Sequence, residues 1–135
     1  MGGNGRDKGT TIMKRVIIES PFAGRTIDIL IRNTLYLEKC ILDSLSRGEA
    51  PFASHGFYTN WLDDTKEEER KLGMEAGFAW GECAELIAVY YDYGVSKGMA
   101  QGIIKANSFH KKIVFRKLSS SILRKISNEK MRKLA

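Results

Sequence analysis

Two turns in the chain carry residue types suited to holding an anion or a planar ring. Gly94-Val95-Ser96-Lys97-Gly98-Met99 follows an apolar run and leads into a helical pattern. A helix N-terminus offers free backbone N–H groups and the positive end of the helix dipole, which attract phosphate or carboxylate. Ser96 would add a hydroxyl donor, and Gly98 would let a ligand approach the backbone as far as Met99. The plainer reading of the same residues is a turn at Gly94 and a helix cap at Ser96. The second turn, Ser20-Pro21-Phe22-Ala23-Gly24-Arg25, also follows a strand-like run. Arg25 suits bidentate pairing with a phosphate, and Phe22 suits stacking on a base. The plainer reading there is an ordinary turn with an exposed arginine. A third polar pair, Ser54 and His55, follows an apolar and aromatic stretch. A lone histidine is more often structural than catalytic, and no Ser-His-Asp order follows from spacing. Glu75 stands among Met74, Ala76, Gly77 and Phe78. A carboxylate partly buried in such company can serve as a general acid or base, although a helix surface is its default place.

Other chemistries leave no trace. There is no Gly-x-x-x-x-Gly-Lys-Ser/Thr motif, and no Gly-x-Gly-x-x-Gly after the first strand-like run. Cys40 and Cys83 are the only cysteines and lack metal-ligand spacing. No metal or cofactor is expected, and both thiols are expected to be reduced and buried.

The elements that must position these turns alternate. Arg15 to Glu19 (RVIIE) reads as a buried strand halted by Pro21. Thr26 to Arg47 reads as a helix, with Leu37, Cys40, Ile41 and Leu45 at helical spacing and Gly48 as its stop. Ala50 to Thr59 reads as a second strand running into a loop. Thr65 and Glu68 have capping-box spacing for a helix to Cys83, with Leu72, Ala76, Ala79 and Cys83 on one face. Leu86 to Tyr91 (LIAVYY) is too continuously apolar for a half-exposed strand and suits the centre of a parallel sheet. Ser96 then caps a helix to about residue 106, Lys112 to Arg116 forms the last strand, and Ser119 to Leu134 forms a basic helix. Strand–helix alternation predicts a doubly wound, mainly parallel α/β sheet with helices on both faces. Ligands of such sheets bind beyond the carboxyl ends of the strands. The three sites of interest are therefore Ser20 to Arg25, Ser54 to Tyr58 and Asp92 to Met99.

With 135 residues and 43% hydrophobic content, the chain fits one domain. Residues 1–13 are expected to be disordered, 14–118 to form the domain and 119–135 the basic helix. The net charge of +6 is uneven. Residues 111–135 hold nine Lys or Arg against Glu129, so they carry +8 and the preceding 110 residues carry −2. A nucleic acid or an acidic partner could meet that tail, and a solvated helix is the alternative. No apolar run reaches the length of a membrane span. The N-terminus lacks the apolar centre of a secretory signal, so no membrane partner and a cytoplasmic location are expected.

Five segments carry a family likeness: VIIESPFAG (16–24), RNTLYLEKC (32–40), RGEAPFASHGFYT (47–59), LDDTKEEERKLGMEAGFAWGECAE (62–85) and VYYDYGVSKGMAQGI (89–103). Over about residues 16–118 the chain resembles the nucleoside 2-deoxyribosyltransferase-like superfamily. Within it, the chain is most similar to a subgroup of uncharacterised phage and bacterial proteins. The resemblance implies a three-layer Rossmann-like sheet of four or five strands and a homo-oligomer, a dimer or higher. It also implies ligand roles for Phe22, Gly24, Arg25, Gly94, Ser96 and Gly98. Enzymes of the superfamily cleave an N-glycosidic bond with a glutamate nucleophile, placed in the helix after the phosphate-binding loop. Here Ser96 to Ala106 contains no Asp or Glu. Covalent glycosyl transfer needs an anionic oxygen. Either Glu75, Asp92 or Glu19 takes over that role, or the domain binds without turnover, which the missing carboxylate favours. The expected function is binding of a nucleotide or nucleoside derivative. In a phage setting, within the bacterial host cytoplasm, that becomes anti-defence sequestration of a cyclic-nucleotide signal. The alternative is an N-glycosidase or 2-deoxyribosyltransferase.

Overall fold

The computed structural model describes residues 12–135. The expectation of disorder for residues 1–13 therefore falls, up to residue 11, outside the described residues. Ile12 and Met13 are exposed and carry no secondary structure.

Four short strands pair in one sheet: β1 (Arg15–Glu19), β2 (Ala50–Phe52), β3 (Leu86–Tyr90) and β4 (Lys112–Arg116). Their order is β2-β1-β3-β4, and every pairing is parallel. Parallel neighbours need crossovers, supplied by α1 (Ile27–Ser46), α3 (Glu67–Gly81) and α4 (Lys97–Ser108). A last helix, α5 (Ser120–Leu134), packs beside α1. The protein is a three-layer α/β sandwich, as the alternating sequence predicts. Among the described residues, no helix is long and apolar enough to cross a membrane.

Strand alternation assigns each side chain to a layer. Val16, Ile18, Leu86, Ala88 and Tyr90 join Leu35, Tyr36 and Cys40 of α1 and Ile126 of α5 in one core. Ile87 and Val89 face the other way, with Met99 and Ala106 of α4, and Ile17 packs against them. Glu19 shares the parity of Ile17 and so belongs to the α4 side. On the α1 side, Arg116 donates two hydrogen bonds to Glu49 at 2.9 and 2.7 Å and one to Tyr90 Oη at 3.1 Å. Tyr90 Oη in turn donates to Asp43 at 2.6 Å. The Arg116–Glu49 pair is nearly closed to water, with side chains 9% and 12% exposed.

Helix starts follow their caps. Thr26 accepts from Ile29 N at the start of α1, and Ser119 from Ile122 N at the start of α5. The basic C-terminal segment is tied to the body by Ile126 and by a 3.0 Å ion pair between Lys130 and Asp28.

Three details correct the sequence reading. The stretch expected to be a strand running into a loop pairs with β1 only over Ala50–Phe52. Ser54–Phe57 instead forms a helical turn, α2, followed by a 3-10 turn at Tyr58–Asn60. Gly56 permits this by closing on Leu37, where a Cβ would lie 2.5 Å from Cδ2. The capping box at Thr65 and Glu68 does not form. Thr65 donates its N–H and hydroxyl to Asp63 instead, at 2.9 and 2.6 Å, and α3 begins two residues later. The expected apolar face of that helix is not the packed one. Leu72 is 56% exposed, no residue of α3 is buried, and glycines meet the protein: Gly73 against Leu62 and Gly77 against Ser54. Cys40 is buried as expected, but Cys83, beyond the end of α3, is exposed.

Candidate functional site

A cavity of about 280 Å³ opens at the carboxyl ends of β1 and β3, on the α3–α4 side of the sheet. Ile17 and Ile87 form part of its wall from the sheet, with Met99 and Ala106 from α4 and Phe78 from α3. Ser20, Phe22, Ser54 and His55 bound it on one flank. Ser96, Lys97 and Gly98 bring the first turn of α4 to it, and Asp64, Glu69 and Arg70 come from the start of α3. All three loops named from the sequence thus reach one cavity.

Not every residue of those loops does. Ser20, Phe22, Ser54, His55, Ser96, Gly98 and Met99 line it, and Gly24, Arg25 and Gly94 do not. Gly24 serves α1 instead, since a Cβ there would lie 2.6 Å from Ile29 Cγ2. Gly94 has φ +87° and closes the turn after β3, its N–H donating to Tyr91 O at 2.9 Å. Arg25 is exposed. Glu75 lies on the exposed side of α3. Asp92 faces the opposite layer. It accepts from Tyr36 Oη at 2.6 Å and from Leu118 N at 3.0 Å, joining β3 to α1 and to the start of α5.

The flank of the cavity is a fixed polar pair. Ser20 Oγ and His55 Nε2 share a hydrogen bond of 2.9 Å. Burial pushes the His55 pKa down to about 4, so the ring is neutral at physiological pH. Phe22 meets the same ring edge-on, with centroids 5.6 Å apart. The Phe22 loop is held from behind by buried Asn33, whose Nδ2 donates to the carbonyls of Phe22 and Ala23 at 3.2 and 3.3 Å. Arg32 donates to Asn33 Oδ1 and lies 4.1 Å from the centre of the Tyr93 ring.

The mouth is set by α4. Ser96 Oγ accepts from Met99 N at 3.2 Å, which is the cap predicted from the sequence. The Ser96 N–H points back to Met99 Sδ at 3.4 Å. Arg70 reaches over this turn, with Nη2 3.3 Å from the place a Gly98 Cβ would occupy, while Nη1 contacts Asp64 at 3.3 Å. Gly98 therefore admits a guanidinium to the helix N-terminus.

Glu19 is the third carboxylate considered from the sequence. It ends β1, lines the cavity and, among the described residues, has no hydrogen-bond partner. Its carboxyl lies against α4 at Gly102, where a Cβ would come 2.6 Å from Cδ. Burial alone pushes its pKa up to about 8. The other two cavity carboxylates differ: Asp64 is paired with Arg70, and Glu69 accepts from Asp63 N at 2.8 Å. Strand parity with Ile17 was the sequence signal that could have singled out Glu19. Arg70 and Lys105 were missed because only the fold brings them to the cavity.

The sequence model of a domain of unknown function, DUF7768, matches residues 14–116. The chain belongs to the DUF7768 family. The match runs from just before β1 to the end of β4, so every cavity-lining residue lies inside the family domain and α5 lies outside it. No curated protein matches the chain.

Proposed function

We propose that this domain binds a nucleotide or nucleoside derivative and holds it without cutting it. The support is one cavity that combines an apolar and aromatic lining with cations. Phe78, Phe109 and Ile87 belong to the lining, and Lys105 lies over the two aromatic rings. The mouth of the cavity carries Arg70, Lys97 and the capped N-terminus of α4, which suit a phosphate. The observation that carries holding over cutting is that Ser96 to Ala106, the helix that lines the cavity, contains no Asp or Glu. Glu19 lines it too, but burial pushes its carboxyl up to about 8, which disfavours the anionic oxygen needed to attack or stabilise an oxocarbenium-like centre. A protein of this kind in a phage would act by sequestration, and a cyclic-nucleotide messenger fits the same description.

The second reading is an N-glycosidase or 2-deoxyribosyltransferase. One observation favours it: an acid poised near neutrality in an apolar site is suited to protonate a leaving base. The resemblance to the deoxyribosyltransferase-like superfamily supports either reading. Mass spectrometry of small molecules released by denaturing the purified protein separates them. An intact nucleotide in stoichiometric amount supports binding. Free base released from a deoxynucleotide panel, and lost in Glu19→Gln, supports the enzyme. A protein that neither retains nor binds any nucleoside or nucleotide ends both.

A homo-oligomer belongs to the same proposal. Phe57, Trp61 and Trp80 are 45%, 69% and 55% exposed beside the short edge strand β2, and a second copy would cover them. Sedimentation equilibrium at micromolar concentration should give a mass above that of one chain.

A further inference from the structure

The geometry points to Glu19 as the group that reads the ligand's ring, as an acid donating one hydrogen bond and accepting another from a planar heterocycle with an acceptor beside an N–H donor. This rests on the binding reading above and adds the chemical class of the ring. A half-buried carboxyl without a protein partner takes its hydrogen bonds from whatever fills the cavity it faces. Glu19 has no protein partner among the described residues and faces the cavity from the end of β1. Gly102 is the reason it can lie there, because any side chain at that position would collide with its oxygens. Ile17, Ile87, Phe78 and Met99 give the same cavity apolar wall.

A protonated carboxyl presents an O–H donor and a C=O acceptor on one edge. That edge complements the acceptor–donor pair of a nucleobase. It does not complement a sugar phosphate, which has no such edge. The ionised form would be an acceptor only, and it would stand in an apolar cavity. Glu19 must therefore keep its proton in the complex, and binding becomes linked to pH.

The other titratable and charged groups around the cavity are His55 on α2, Tyr58 in the 3-10 turn, Asp64, Glu69 and Arg70 near the start of α3, and Lys97 and Lys105 on α4. None of them is a cause of the raised Glu19 pKa, which comes from desolvation. All of them remain in a Glu19 variant, so a comparison of wild type and variant isolates Glu19.

The experiment is titration calorimetry of the full chain with the four deoxynucleoside 5′-monophosphates and with ribose 5-phosphate, between pH 7.5 and 9, below the range in which ring N–H groups ionise. A phosphate monoester is almost fully ionised over that range, its second pKa being about 6. Wild-type affinity for the nucleotide that binds should fall as pH rises past about 8, approaching tenfold per unit. Glu19→Gln supplies the same donor and acceptor without a titration of its own, so it should bind at pH 9 as tightly as wild type does at pH 7.5. Glu19→Ala should bind weakly at every pH, and circular dichroism confirms that both variants are folded. Ribose 5-phosphate should show no such loss with pH. A nucleotide affinity that is flat with pH, or that falls equally in Glu19→Gln, overturns the role of Glu19 and leaves the binding reading standing. Absence of binding by every nucleotide overturns both.

Discussion

Replacing Glu19 with Gln should change how stability depends on pH, and the change can be worked out from two groups. The Glu19 carboxyl moves from 4.5 to about 8 on folding. A group whose native pKa is raised takes up a proton on folding, so its contribution is fully present below 4.5 and is lost as pH rises to about 8. His55 moves the other way, from 6.5 to about 4. Its contribution is fully present above 6.5 and is lost as pH falls to about 4. Between pH 4.5 and 6.5 the two slopes oppose each other. Between 6.5 and about 8 only Glu19 acts, at about 1.4 kcal/mol per pH unit. Wild type should therefore lose roughly 2 kcal/mol across that window. Glu19→Gln should be flat there, and below pH 6.5 it should show the rising slope that His55 alone sets. Urea denaturation of both proteins at about pH 5, 6.5, 8 and 9, with unchanged m-values, measures this. A wild-type curve that is level from pH 6.5 to 8, or a variant that falls in parallel with it, refutes the enclosure of Glu19.

Three further perturbations have definite outcomes. Glu49→Ala leaves the Arg116 guanidinium nearly closed to water without its carboxylate, and should cost about 3 kcal/mol in chemical denaturation. Ser96→Ala removes the α4 cap and should cost about 1 kcal/mol, with a weaker hold on phosphate-bearing ligands and an unchanged hold on nucleosides. Asp92→Ala and Glu75→Gln form a contrasting pair. The first strips acceptors from Tyr36 and Leu118 and should lower stability by about 3 kcal/mol. The second alters an exposed helix position and should stay within about 0.5 kcal/mol of wild type. Calorimetry on the folded Glu75→Gln variant should return the wild-type affinity.

The layer order was legible because β-branched runs at Val16 and Leu86 alternate with helical spacing, and that pattern leaves few topologies. The failures have local causes. The loop after Phe52 coils into a helical turn, where its rings pack on one another and on Trp80. The packed face of α3 was hard to see from hydrophobic periodicity because Gly73 and Gly77 make its closest approaches, with only Met74 and Phe78 beside them. At the site, contacts local in sequence were readable, such as Ser96 with Met99. The Ser20–His55 bond spans 35 positions, and Arg70 against Gly98 joins two helices, so both depend on crossovers that no spacing rule encodes. Glu19 was within reach of alternation alone, but the family pattern drew attention to the helix after the phosphate loop.

The glycine face of α3 has a consequence for how the cavity is entered. A helix with no buried residue gives up little apolar contact when it lifts away. Its amides should therefore exchange with solvent through a sub-global opening far less costly than unfolding of β1 or β3. Lifting α3 would expose Glu19 further, so its ionisation should favour the open form. Exchange along Glu67–Gly81 should then accelerate above about pH 8 by more than intrinsic base catalysis accounts for.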